Sequence, residues 1–427
     1  MGAVQQSPPA LQRSAISEKH LAAKIAAYAV LSRCIVLGWA VLSTQMVAKY
    51  DSSVRLLANT DASIPAALGA NWDATYFLGI ASEGYTFEQA HAFFPLLPWS
   101  AKTLASVASG TGEPTVMAIA IAGTVISNCA FVLAAVILFF LGCRVLGEQH
   151  VAGQAALLFC FNPASVFMSA FYTESLFACL SFAGMLILVS PPGSPAPTMM
   201  KLLNSALLFA LATATRSNGI LLGGYLGFSL LLPFLEGGSV RRLGPLLIAG
   251  LKLIPALILC ISPMLAYLMF ASSRYCGGAA VQGQGLAIGS SLVPRPWCES
   301  RFPNVYSFVQ DHYWNVGLFR YMQVKQIPNF FLASPMALLC FRSAWGYVGK
   351  SSSYSRNIRV LPYVLHMIAL ALLGCFVMHV QVLTRFVAAC PVLYWHLASC
   401  ANAVDLTYFA AYCLLGAAMF SCYYPWS

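Results

Sequence analysis

Along the chain, long apolar runs alternate with short polar breaks. The runs fall near 25–47, 115–141, 151–170, 174–189, 202–215, 219–235, 246–271, 330–348, 360–377, 386–401 and 406–422. A helix needs roughly 20 apolar residues to cross a bilayer, and several runs have that length. A membrane barrel would show alternating strands of about ten residues, which these runs do not. The pattern predicts an all-α polytopic membrane protein with about eleven transmembrane helices. Two polar stretches, 48–114 and 273–329, are far longer than the other breaks.

Composition removes the soluble alternative. Of 427 residues, 59% are apolar and 8% charged, and the mean hydropathy is +0.74. Soluble domains carry about 25% charged residues. The net charge of +10 comes from basic residues gathered in the connections. There it sets orientation and implies no nucleic-acid partner. Arg13, Lys19 and Lys24 put the tail 1–24 in the cytoplasm, and 25–427 reads as a single transmembrane domain. Threaded from there, Arg144, Lys201, Arg241, Arg242, Lys350, Arg356 and Arg359 fall inside and nearly all acids outside. Both 48–114 and 273–329 become lumenal loops. Arg274, Arg295, Arg301, Arg320 and Lys325 depart from the rule, in a loop long enough for it to be weak. The first 25 residues are polar and the first run is long enough to span, so no cleavable signal peptide is expected. The fourteen cysteines form no C-x-x-C pair and mostly sit in apolar runs as small hydrophobes. Cys276 and Cys298 share the second loop and can pair if it faces an oxidising lumen.

Against this background Asp73 stands out, set between Trp72 and the Tyr76–Phe77 pair. A carboxylate among aromatics beside a bilayer is costly and usually functional. The other reading is a helix-start charge opposing the macrodipole. Trp72, Tyr76, Phe77 and Ile80 share one face of a short helix, which Asn71 would cap and Gly84 would end. Thr86-Phe87-Glu88-Gln89 has the form of a capping box, opening a second short helix that ends at Pro95 and Pro98. Such helices suit the interface plane. On pattern alone Glu83 and Glu88 read as solvated loop charges.

Glu174 and Arg216 each interrupt apolar sequence at junctions on the Asp73 side. Such groups pair with each other or face a polar cavity. Arg216 is either half of a structural ion pair or a bidentate phosphate clamp. Arg385, at another lumenal edge, could serve the same anion or simply snorkel. In the second loop Arg295, Trp297, Arg301, His312, Tyr313 and Trp314 mix cations with aromatics, suiting carbohydrate or phosphate, or merely filling the loop. The sequence has no Walker A run, no Gly-x-Gly-x-x-Gly, no His-Glu-x-x-His and no metal-spaced Cys/His cluster. Nucleotide-driven pumping and a soluble nucleotide-binding enzyme are unsupported.

Trp72-Asp73-x-x-Tyr76-Phe77-x-x-Ile80-Ala81-x-x-Gly84-Tyr85, with Glu88-Gln89 and 92–98 behind it, resembles the glycosylphosphatidylinositol (GPI) mannosyltransferase 2 family. So do Phe161-Asn162-Pro163-Ala164, Tyr172-Thr173-Glu174-Ser175, Ala214-Thr215-Arg216-Ser217-Asn218-Gly219 and Arg385-Phe386 before Pro391. The matches run in order from about 25 to 425; the 273–329 loop carries none. The resemblance implies the C-type glycosyltransferase superfold in the endoplasmic-reticulum membrane, with a lumenal active site. It implies transfer of mannose from dolichyl-phosphate mannose, α1,6-linked and with inversion, onto the first mannose of a GPI-precursor glycolipid.

Such a displacement needs one carboxylate to deprotonate the acceptor and positive charge for the departing phosphate. Asp73 is the expected base, Glu174 an orienting or second carboxylate, and Arg216 and Arg385 the phosphate holders. Trp72 and Tyr76 would stack on sugar, with Glu88, Tyr172 and Asn218 as further sugar or acceptor contacts. No cofactor and no metal are expected. A small accessory membrane subunit is left open. The alternatives are another dolichyl-phosphate-sugar-dependent glycosyltransferase, or a polytopic sugar or lipid transporter, whose repeated halves the sequence lacks.

Overall fold

The computed structural model describes residues 9–50, 69–110, 112–237, 243–276, 295–349, 354–424 and 426, and among these there is no strand. Arg241, Arg242, Lys350, most of 48–68 and much of the second loop lie outside the described residues.

The chain runs α1 (Pro9–Met46), α2 (Ala74–Glu83), α3 (Leu96–Ser109), α4 (Val116–Leu146), α5 (Gln149–Cys160), α6 (Ser165–Ser169), α7 (Glu174–Leu188) and α8 (Met199–Thr215). It continues as α9 (Gly223–Glu236), α10 (Leu243–Tyr275), α11 (Val305–Trp314), α12 (Ile327–Val348), α13 (Leu361–Phe376), α14 (Leu383–Val387), α15 (Pro391–Cys400) and α16 (Ala403–Ser421). Each apolar run of the sequence is helical. Among the described residues seven stretches, built on α1, α4, α9, α10, α12, α13 and α16, are long and apolar enough to cross a membrane. The pair α14–α15, bent by 82°, can supply an eighth, while α7 and α8 are shorter apolar helices.

Local chemistry sets the ends. Thr115 caps α4 by accepting from the Ala118 N–H at 3.1 Å, and Gly147 ends it at φ 78°, a conformation that suits glycine. The run 151–170 is not one helix. Asn162-Pro163 breaks it into α5 and α6, because proline cannot continue the backbone ladder. In an apolar bundle the carbonyls freed at such a break need donors. Buried Arg33 supplies them, reaching the Cys160 and Ser165 carbonyls at 2.8 Å each and the hydroxyls of Ser165 and Ser169 at 2.7 and 2.9 Å.

The short helices of the first loop form with different boundaries from those expected. Asn71 does not cap α2; its amide donates to the Phe420 carbonyl at 3.2 Å, and Asp73 occupies the N-cap without a side-chain capping bond. Gly84 does end α2, at φ 79°. The capping box at 86–89 is absent, since Phe87 caps a 3₁₀ turn at Glu88–Ala92 and the Glu88 carboxylate is engaged elsewhere. Pro95 then opens α3 rather than closing a helix.

The core centres on α4, α5, α7 and α8, where Phe131 stacks on Phe159 at 4.9 Å. Gly123 leaves room for the Phe171 ring, which a Cβ there would overlap. Ser127 holds the Tyr172 carbonyl at 3.1 Å, so α4 fixes the segment that leads into Glu174. A Cys276–Cys298 disulfide, with Cα atoms 5.4 Å apart, ties the end of α10 to the segment before α11.

Candidate active site

Four separate elements bring charge to one point. Asp73 opens α2, Glu174 opens α7, Arg216 follows α8 and Arg385 sits in α14. Glu174 in a first turn suits the positive end of its helix. After α8 the backbone at Arg216 is extended and turns at once; a Cβ on Gly219 would meet the Thr213 backbone at 2.5 Å, so the turn requires glycine.

The charges interlock. Arg385 Nε donates to Glu174 Oε1 at 2.7 Å, and its Nη1 to Asp73 Oδ2 at 3.0 Å. Arg216 Nη1 reaches the same Glu174 oxygen at 2.6 Å and Thr173 Oγ1 at 3.3 Å. Two carboxylates and two guanidiniums balance, which is what lets them persist in an apolar bundle. The Arg385 guanidinium also lies over Phe167 and Tyr172, 4.6 and 5.1 Å from the ring centres. The Asp73 side chain is 35% exposed and that of Glu174 only 1%.

The cluster floors a cavity of about 300 Å³. Asp73, Thr173, Arg216, Asn218 and Arg385 line its charged side. Tyr306, Gln310 and Trp314 of α11, with His379 and Gln381 before α14, also line it. The outer segment is held from two directions. Glu88 accepts from Trp297 Nε1 at 2.9 Å and from Arg295 and Tyr313 at 3.1 Å each, while His379 Nε2 donates to the Trp314 carbonyl at 2.6 Å.

The expected site residues therefore divide. Asp73, Arg216, Arg385 and Asn218 face the cavity. Glu174 lies beneath it, sealed by both arginines, with Oε2 buried and unpartnered. Tyr172 is fully buried and does not line the cavity; its hydroxyl accepts from the Asp73 N–H at 2.9 Å and donates to the Asn71 carbonyl at 3.1 Å. Tyr76 stands behind the wall, stacked on Phe93 at 4.7 Å, and it is Phe93 that lines the cavity. Burial, then the nearby Asp73 charge, raises the Tyr76 hydroxyl pKa. Trp72 is also outside the lining and adopts φ 57°, a strained value for a bulky side chain immediately before Asp73. Glu88 is outside the cavity lining, and its oxygens accept from three donors of the second loop.

Sequence reasoning passed over Thr173, Ser217, Tyr306, Gln310, His379 and Gln381, all of which line the cavity. Thr173 and Ser217 were inside recognised motifs, and Tyr306 and Gln310 have the i, i+4 spacing of one helix face. A larger cavity of about 700 Å³ lies between α1, α5, α15 and α16, but no charged side chain lines it. Among the described residues no three His, Cys, Asp or Glu side chains gather as ligands.

Fold and site together define a polytopic helical membrane protein with a carboxylate and guanidinium cluster on the floor of a polar cavity. The chain belongs to the mannosyltransferase (PIG-V) family, whose model matches residues 22–427. It is 35% identical to the human GPI alpha-1,6-mannosyltransferase 2 over 367 residues, covering 76% of this chain and 71% of that one. It is 33% identical to GPI mannosyltransferase 2 of Chaetomium globosum, covering 88% of each. Among solved structures it is similar to ArnT from Cupriavidus metallidurans bound to undecaprenyl phosphate, at 14% identity and TM-score 0.47, covering 86% of this chain and 59% of that one. A comparable likeness, at 12% identity and TM-score 0.47, is to the archaeal oligosaccharyltransferase AglB from Archaeoglobus fulgidus, covering 96% and 56%. Membership of the mannosyltransferase family makes the chain a membrane glycosyltransferase and sets the transporter alternative aside.

Proposed function

We propose that the enzyme moves mannose from dolichyl-phosphate mannose onto the first mannose of a GPI precursor, forming an α1,6 link at the lumenal face of the endoplasmic reticulum. The names of its relatives support the acceptor, and the Cys276–Cys298 disulfide suits an oxidising lumen. The observation that carries the chemistry is the placement of Asp73, the carboxylate that opens onto the cavity with Arg385 Nη1 3.0 Å from its Oδ2.

In this reading the acceptor hydroxyl oxygen attacks the anomeric carbon of the donor from the face opposite the phosphate. The new carbon–oxygen bond forms as the bond to phosphate oxygen breaks. Asp73 takes the hydroxyl proton, and the electron pair leaves with dolichyl phosphate. Arg216 and Arg385 sit where they can meet the charge that develops on that phosphate. Each arginine has one terminal nitrogen with no hydrogen bond among the described residues. Glu174 acts as a positioning residue that holds the two arginines, rather than as a second group on the substrate. Tyr172 positions Asp73 through its backbone. The apolar wall for sugar falls to Phe93 and Trp314, in place of Trp72 and Tyr76. The deciding experiment supplies labelled donor and GPI precursor to membranes holding the wild type or Asp73→Asn. Transfer by the wild type alone supports the reading; equal transfer by both removes Asp73 as base.

A further inference from the structure

The mechanism leaves Tyr306 and Gln310, the uncharged polar groups that α11 brings to the lining, without a role. Tyr306 and Gln310 project from α11 into the cavity, and the Tyr306 hydroxyl lies 2.7 Å from Ser217 Oγ. Beside Ser217, Asn218 is only 7% exposed, yet both its amide oxygen and its amide nitrogen lack a protein partner. The Gln310 side chain also makes no hydrogen bond among the described residues, although it lines the same cavity. Buried amides in folded proteins are almost always satisfied, so the open Asn218 amide in this cavity points to a ligand, with the half-exposed Gln310 amide free to meet the same ligand.

We infer that Asn218, Gln310 and the Ser217–Tyr306 hydroxyl pair form the subsite that reads the hydroxyls of the acceptor sugar. This rests on the mannosyl-transfer reading. A carboxamide offers an acceptor and two donors side by side, which suits a pair of neighbouring hydroxyls. Neutral groups cannot compensate a phosphate; that task falls to Arg216 and Arg385 in the same cavity. The opposite face of α11 carries exposed Ser307, Asp311 and His312, so the subsite is on the water side, where the glycan of an acceptor extends. The α11 lining is also preorganised, since the Glu88 clamp and the His379 bond hold both sides of α11 before substrate arrives. The second polar loop, which carries no family motif, thereby gains a role as the acceptor-selecting element.

The test uses the full-length enzyme in nanodiscs with labelled dolichyl-phosphate mannose. The acceptors are a synthetic GPI precursor ending in its first mannose and analogues in which single mannose hydroxyls are replaced by hydrogen. The wild type should discriminate against one or more deoxy analogues by about tenfold in kcat/KM, the cost of a missing hydrogen bond. Asn218→Ala should lose that factor on the natural acceptor and process the matching deoxy analogue like the wild type. The loss should fall on the acceptor KM and not the donor KM. Gln310→Ala, on a half-exposed helix face where folding is safe, should erase discrimination at a different hydroxyl. Unchanged discrimination in both variants, or a loss confined to the donor KM, would overturn the subsite. A wild type that transfers mannose to none of these acceptors would bring down the underlying reading, and the subsite with it.

Discussion

Arg385 Nη1 lies 3.0 Å from Asp73 Oδ2, so the proposed base is also the counter-ion of a cation that the leaving phosphate needs. The two demands arise together in the reaction. As Asp73 takes the acceptor proton it loses its charge, and its hold on Arg385 weakens. At the same moment negative charge grows on the departing phosphate. The guanidinium between them is released by one partner as the other begins to attract it. Asp73→Asn removes the proton acceptor but keeps the size and one hydrogen-bond acceptor. Transfer should fall by about 10²–10⁴-fold, the usual contribution of a positioned base. Labelled-mannose transfer, normalised to inserted protein, measures it.

Arg385→Lys separates charge from geometry. Arg385 spans Glu174 and Asp73 with two different nitrogens, which a single ammonium cannot reproduce. Among the described residues the Arg216 guanidinium makes its polar contacts to Glu174 and Thr173 through one nitrogen, and lies 4.7 Å from the Phe386 ring centre. Arg385→Lys should therefore cost at least tenfold more in kcat than Arg216→Lys. Matched kinetics on the two variants would show it, and equal losses would mean that the bridging geometry does not matter.

Glu174→Gln should injure the fold more than Asp73→Asn does. Its side chain is 1% exposed and faces two guanidiniums, so the change leaves buried positive charge uncompensated. Removing one partner of a buried pair costs about 3–5 kcal/mol. Asp73, 35% exposed and bound to one arginine, has water to replace part of what it loses. Thermal unfolding in detergent should give a clearly lowered midpoint for Glu174→Gln and a nearly native one for Asp73→Asn. The reverse order would place Glu174 among the groups that act on substrate.

The apolar runs made the spans legible, because each had only to bury one kind of surface. Broken helices were harder to read. Asn162-Pro163 divides 151–170, and its cost is met by Arg33, 127 residues away from the Cys160 carbonyl it binds. No local pattern signals that partnership. The site followed the same rule. Asp73, Arg216 and Arg385 stood out as charges in apolar sequence, and the structure brings them to one cavity. Glu88 belonged to the same motifs, but its partners Arg295, Trp297 and Tyr313 come from a loop about two hundred residues on, so its role as a clamp was invisible. Tyr306 and Gln310 carried only ordinary helix spacing, and their meaning depends on what shares the cavity with them.

His91 supplies a pH-dependent measure of the first loop's packing. The ring is fully buried against Tyr85, 4.5 Å away and nearly parallel, with Tyr267 and Tyr275 around it, and neither ring nitrogen has a partner. Burial first, and the Arg274 charge second, push its pKa down from 6.5 to about 4. The folded form thus refuses a proton that the unfolded chain accepts. Above pH 6.5 the ring is neutral in both states and stability is complete; as pH falls from about 6.5 toward 4, the unfolded state gains the proton and stability drains away. The loss at the bottom of that window is about 2–3 kcal/mol. Thermal midpoints at pH 7, 6 and 5 should fall for the wild type and stay flatter for His91→Phe, which keeps the stacking and cannot titrate. Parallel slopes for the two proteins would assign the acid sensitivity to the carboxylates instead.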